Sequence, residues 1–134
     1  MPIEYDIIED KQLVLAKGSG VITASDVIKH LDSLAADNRY TAPMKKLIDY
    51  RYIENIAITP EEATKIADKK LSFLYIFRGE RCAFISPEDG AYGVSRVHQA
   101  LSGNIDTFTE VFRRIEDALD WLGISLDTNL RRVF

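Results

Sequence analysis

A short apolar run, Leu47-Ile48-Asp49-Tyr50-Arg51, breaks into charge and leads through Ile53 to Ile58 into a helix start at Thr59-Pro60-Glu61-Glu62. No other stretch limits the possible folds so tightly. Its apolar half is bracketed by long amphipathic helical patterns that need a sheet to cover, so it reads as the central strand, Met44 to Tyr50, of a small and mostly parallel sheet. Before it, Thr23-Ala24-Ser25-Asp26 is a capping box, and Ala24, Val27, Ile28, Leu31, Leu34 and Ala35 follow at helical spacing. Lys29, His30, Asp32 and Ser33 fall outside that stripe, which makes His30 a solvated surface histidine. After it, Thr59 caps, Pro60 loses no hydrogen bond at the first helical position, and Glu62 closes a second box. Ala63, Ile66, Ala67, Lys70, Leu71 and Leu74 then share one face.

The flanking segments extend the same scheme. Residues 3 to 8 alternate, and after polar Glu9 to Gln12 a second apolar run, Leu13 to Ile22, predicts an antiparallel hairpin. Gly18-Ser19-Gly20 interrupts it, as at a bulge or the close passage of another backbone; contact with a ligand is the sharper alternative. Cys82 to Ile85 reads as a buried strand with Cys82 as a structural thiol. Ser86-Pro87-Glu88-Asp89 then predicts a third capped helix that turns Ala91, Val94, Val97 and Leu101 inward and ends at Gly103. Gly90 and Gly93 within it suggest close packing on the sheet. Thr107 to Phe112 is a last strand, and Ile115, Ala118, Leu119 and Leu122 form a short helix that carries Trp121 and stops at Gly123. The expected architecture is α/β: a leading β-hairpin, alternating helices and a mostly parallel sheet of about five strands. Residues 1–123 form one domain, and a tail at 124–134 docks on it through Leu130 and Val133-Phe134.

Composition narrows the function classes. In 134 residues there is one cysteine, so no intrachain disulfide, and the net charge of −4 comes without a basic stretch, so nothing marks a nucleic-acid surface. No apolar run approaches the ~20 residues of a membrane helix, and Met1 to Asp6 pass directly into strand pattern. A cytoplasmic protein without membrane insertion, cofactor or metal is expected.

Leu47-Ile48-Asp49-Tyr50, followed across a gap by a capped helix, resembles the central motif of the anti-sigma-factor antagonist superfamily, the STAS or SpoIIAA-like proteins. In that family a strand ending in aspartate leads to an Asp-Ser-Ser-Gly or Asp-Ser-Thr-Gly helix start, whose hydroxyl a partner kinase phosphorylates. Arg81 to Pro87, Ala91-Tyr92-Gly93 and Phe112 to Gly123, with Ala118-Leu119-Asp120-Trp121-Leu122, look like a group of small uncharacterised bacterial members. The likeness covers nearly the whole chain. It departs at Ile58-Thr59-Pro60-Glu61, where only Thr59 has a hydroxyl and no glycine follows. A phosphate on Thr59 would gain from the helix dipole but meet Glu61 and Glu62 within one turn, so Thr59 reads as a cap and not a switch.

Parallel α/β sheets bind ligands outside the carboxyl ends of their strands, which points to Asp49, Arg51 and Ser86, with Tyr92 and Arg96 on the polar side of the third helix. Asp49 either binds a cation or orients Arg51 by an ion pair, the pair being favoured. Ser86 lacks the glycines of a nucleophile elbow and is a helix cap. His98, along the third helix's stripe, is the one histidine placed to act as a base, although a structural role accounts for it. If the second capped helix runs to Gly79, then Phe73, Tyr75 and Ile76 are left for a subunit interface; if it breaks early, residues 72–77 fill a crevice instead. Two functions follow. One is a non-catalytic protein-interaction module, homodimeric or bound to a protein partner. The alternative is a small-molecule or lipid-binding domain with a pocket at the strand ends.

Overall fold

The structure, a computed structural model, describes residues 2–86, 108–127 and Leu130. The expected third capped helix, with Tyr92, Arg96 and His98, falls outside the described residues, as does Val133-Phe134.

Strands β1 (Ile3–Ile8) and β2 (Leu13–Gly18) pair antiparallel from Ile3 opposite Gly18 to Ile8 opposite Leu13. A single 3-10 turn, Glu9–Lys11, and Gln12 in the left-handed region join them. The apolar run then splits. At Ser19, whose amide donates to Pro2 O at 2.8 Å, the chain leaves the main sheet, and β3 (Gly20–Thr23) starts a second one. Gly18 is required by a neighbour: a Cβ there would lie 2.7 Å from Tyr50 Cδ1 and 3.0 Å from Ile53 Cγ2. The close passage expected at this glycine is thus that of a side chain, which fills the space a ligand would need.

Both capping boxes form. Before α1 (Ala24–Ala35) the Asp26 amide donates to Thr23 Oγ1 at 3.2 Å and the Thr23 amide to Asp26 Oδ2 at 2.9 Å. Before α2 (Pro60–Ser72) the Glu62 amide donates to Thr59 Oγ1 at 3.1 Å and the Thr59 amide to Glu62 Oε1 at 3.0 Å. Between the two helices, β4 (Lys45–Asp49) is the middle strand of a five-stranded sheet ordered β1-β2-β4-β6-β7, in which β6 is Arg81–Ile85 and β7 is Phe108–Phe112. Only β1 runs antiparallel. Residues after Tyr50 form β5 (Ile53–Ala57), which pairs in parallel with β3 in the two-stranded second sheet.

The second helix does not run to Gly79. It ends at Phe73 (φ −103°, ψ 27°), and a separate turn of helix, α3 (Leu74–Phe77), follows. The break changes which side chains reach the core. Phe77 is fully buried, edge-on to Tyr40 and Phe73, while Phe73 and Ile76 pack half-buried on the same cluster. Leu71, expected on the inner face, is exposed, and Tyr75 is 89% exposed. The sheet is covered on both faces. Leu31, Leu34, Ile66 and Phe77 pack with Val14 on one, and α4 (Ile115–Leu122), ended by left-handed Gly123, packs with Leu130 on Leu13, Leu15, Leu47 and Ile85 on the other. Lys11 pairs with Asp127, which also accepts from the Leu130 amide at 2.8 Å. Among the described residues no helix is long and apolar enough to cross a membrane.

Candidate functional site

Asp49 ends β4, and pairing with Ile85 sets it beside the end of β6, where Ser86 follows. The structure thus brings Asp49, Arg51 and Ser86 to one end of the sheet. Asp49 is fully buried; its Oδ1 accepts from the Arg51 amide and Nε, both at 3.0 Å, and its Oδ2 from Nη2 at 2.9 Å. A bidentate pair of this kind occupies both carboxylate oxygens, so the ion-pair reading of Asp49 holds. The same hydrogen bonds raise the Arg51 pKa. Ser86 is also fully buried, its amide donating to Phe112 O at 2.9 Å. No group of three side chains suited to a metal occurs among the described residues.

A different site lies against the face of the sheet opposite Asp49. Strand alternation turns Lys46 and Ile48 of β4, Tyr50 just after it, and Cys82 and Phe84 of β6 toward α1 and α2, and these elements line a mainly apolar cavity of about 50 Å³. Five ionisable side chains converge beside it. Lys70 of α2 makes a 2.8 Å ion pair with Glu80, and Tyr40 donates to the other Glu80 oxygen at 3.2 Å. All but Tyr40 are almost entirely out of water: Lys46 is 2% exposed, Lys70 4% and Glu80 1%. Lys46 makes no hydrogen bond or ion pair with the described residues. His30, from α1, is 6% exposed and neither ring nitrogen has a partner.

The electrostatics follow from burial and from these contacts. Burial, the largest single effect on each, opposes the charge on Lys70 and on Glu80, but their mutual attraction, helped at Glu80 by the charge of Lys46 and the Tyr40 hydrogen bond, outweighs it: the Lys70 pKa ends above the ordinary lysine value and that of Glu80 below the ordinary carboxylate value. Lys46 lacks such a direct contact; burial lowers its pKa, and the attraction of Glu80 offsets this only in part. His30 is pushed down to about 2, by burial first and then by the positive charges of Lys46 and Lys70. Cys82 is pushed up to about 11, chiefly by burial, which keeps the thiol protonated and inert. With Lys46 protonated, two ammonium groups face one carboxylate. The site then carries one unmatched positive charge.

The position of His30 corrects the sequence reading. A helix that meets only a sheet buries a narrow stripe, whereas α1 packs on both the sheet and α2, and the wider buried arc takes in His30, which sits edge-on to Tyr5 at 5.4 Å. Lys46 and Glu80 were not among the sequence candidates. One signal was available: Lys70 stands in register with Ala63 and Ile66 on a helix, and Lys46 in alternation with Ile48 and Tyr50 on a strand. A charge in phase with core positions marks a buried polar site.

Comparison with known proteins bears on the fold. The chain superposes with a TM-score of 0.56 on the crystal structure of an uncharacterised protein from the DUF3478 family with a SpoIIAA-like fold, from Shewanella loihica PV-4. The two are 22% identical over 90% of this chain and 91% of that one. No family model matches this chain, and no curated protein does. The fold is SpoIIAA-like, as the resemblance at Leu47 to Tyr50 implied.

Proposed function

We propose that this chain is a non-catalytic, STAS-like binding domain whose ligand is a small molecule, largely apolar, held in the cavity between the sheet and helices α1 and α2. The observation that carries this reading is the cavity itself, apolar over most of its wall and lined by two buried polar side chains: His30, whose ring nitrogens have no hydrogen-bonding partner among the described residues, and Lys46, which makes no hydrogen bond with them. Buried polar groups are nearly always satisfied by something. Size limits the occupant. An engineered cavity of ~150 Å³ takes benzene, so one of about 50 Å³ suits a few heavy atoms and not the chains of a lipid. The test is a titration of the isotope-labelled protein with butyramide, a small neutral amphiphile, followed by amide shifts. Saturable shifts concentrated in α1, α2, β4 and β6 are expected. Shifts that are absent, or scattered over the surface, refute the pocket.

The interaction-module reading is second. Of its three side chains only Tyr75 stands free of the core, which supports a contact with a second copy or a protein partner centred on that ring. Sedimentation of the wild type and of Tyr75→Ser tests it: the reading requires association in the first that weakens in the second.

A further inference from the structure

We infer that the cavity between the sheet and helices α1 and α2 is an anion site, specific for a short-chain carboxylate whose head group contacts Lys46 Nζ and the N–H of His30 and whose alkyl end lies against Ile48 and Ile66, which also line it. The inference rests on the small-molecule reading above and adds the class of the ligand.

Three observations lead to it. Lys46 and His30 both line the cavity and both are more than nine-tenths buried; both ring nitrogens of His30 lack a hydrogen-bonding partner among the described residues, and Lys46 makes no hydrogen bond with them. A lysine ammonium offers only donors, and a neutral imidazole offers one donor beside its one acceptor nitrogen. What satisfies both together is an acceptor.

The count of charges selects its sign. With Lys46 protonated, Lys70 and Glu80 match each other at 2.8 Å and one positive charge is left over. One added negative charge neutralises the group, while a dianion such as phosphate would overshoot and leave oxygens against an apolar wall. Burial lowers the affinity of Lys46 for its proton, so an anion arriving beside it also restores the charged form. Volume selects the tail. About 50 Å³ suits a carboxylate with one to three further carbons.

Binding of butyrate and of its neutral isostere butyramide, measured by calorimetry and amide shifts at neutral pH on the full chain, tests the inference. Butyrate is expected to bind the wild type about tenfold more tightly than butyramide, as charge-assisted hydrogen bonds exceed neutral ones. Lys46→Met, which keeps the length of the side chain and removes the charge, should abolish the roughly tenfold preference for butyrate over butyramide. Equal affinities on the wild type, or a butyrate affinity unmoved by Lys46→Met, overturn the anion site while the pocket stands. Failure of both ligands overturns the pocket as well. Since the comparison of the two ligands on the wild type needs no variant, a poorly folding Lys46→Met leaves the test decisive.

Discussion

Acidification should expose His30 as a liability of the fold. The imidazole is buried without a partner and held at about 2, whereas in the unfolded chain it titrates near 6.5. Between those two values the unfolded state binds one more proton than the folded state, so stability rises with pH and is lost as pH falls below 6.5. At pH 5 the unfolded chain has gained its proton and the folded chain has not. At ~1.36 kcal/mol per pH unit over roughly 1.5 units, the loss is about 2 kcal/mol relative to pH 7.5. Other groups titrate in the same range, so the informative quantity is a difference between two proteins. Urea melts of the wild type and of His30→Leu, which has similar volume and no titration, should be run at both pH values. The wild type should lose about 2 kcal/mol more than the variant on going from pH 7.5 to pH 5. Parallel losses in the two proteins would show that His30 takes up its proton in the folded state, and the account of its burial would be wrong.

Glu80→Gln should cost about 3–5 kcal/mol in the same melts, because it leaves the Lys46 and Lys70 ammonium groups buried without a counter-charge; a loss under 1 kcal/mol would mean that these lysines are already neutral. Gly18→Ala drives a methyl group into the Tyr50 ring and should destabilise by ~1–3 kcal/mol, with a shift in the near-ultraviolet dichroism of the tyrosines. Thr59→Ala removes one acceptor of the second capping box and should cost about 1 kcal/mol; stoichiometric phosphate on Thr59 in protein from its native cell would contradict a purely structural role. Phe73→Ser with Ile76→Ser should lower the melting temperature, since both side chains pack on the core beneath α3. A normal melt with a reduced sedimenting mass would instead return them to an interface.

What could be read from the sequence was local. Thr23 with Asp26, Thr59 with Glu62, and Gly123 each satisfy or end a helix through atoms a few residues away, so their chemistry is written in adjacent letters. The central strand was legible because two such helices required something between them. The second sheet was not. β5 exposes Glu54, Asn55 and Ala57 and buries only Ile53 and Ile56, so it lacks the alternation that identifies a strand, and its partner β3 is distant in sequence. The break at Phe73 is likewise tertiary: a continued helix would have kept Phe77 from the pocket it fills against Tyr40. The polar site needed most knowledge of the fold. Lys46, Lys70 and His30 come from three elements and Glu80 from the turn before β6, and only the layering of helix on sheet makes neighbours of them.

The unequal charges at Lys46, Lys70 and Glu80 also constrain how this chain can diverge. Replacing Glu80 first strands two ammonium groups, and replacing Lys70 first removes the ion-pair contact on which the Glu80 carboxylate relies. Lys46 alone can leave without orphaning a neighbour, because the pair that remains is matched. Substitution at this site therefore has a direction, in which Lys46 changes independently while Lys70 and Glu80 persist together or are exchanged together for apolar residues of similar size. A lineage that has lost Lys46 keeps a neutral pocket of the same shape, one step from accepting a different class of molecule.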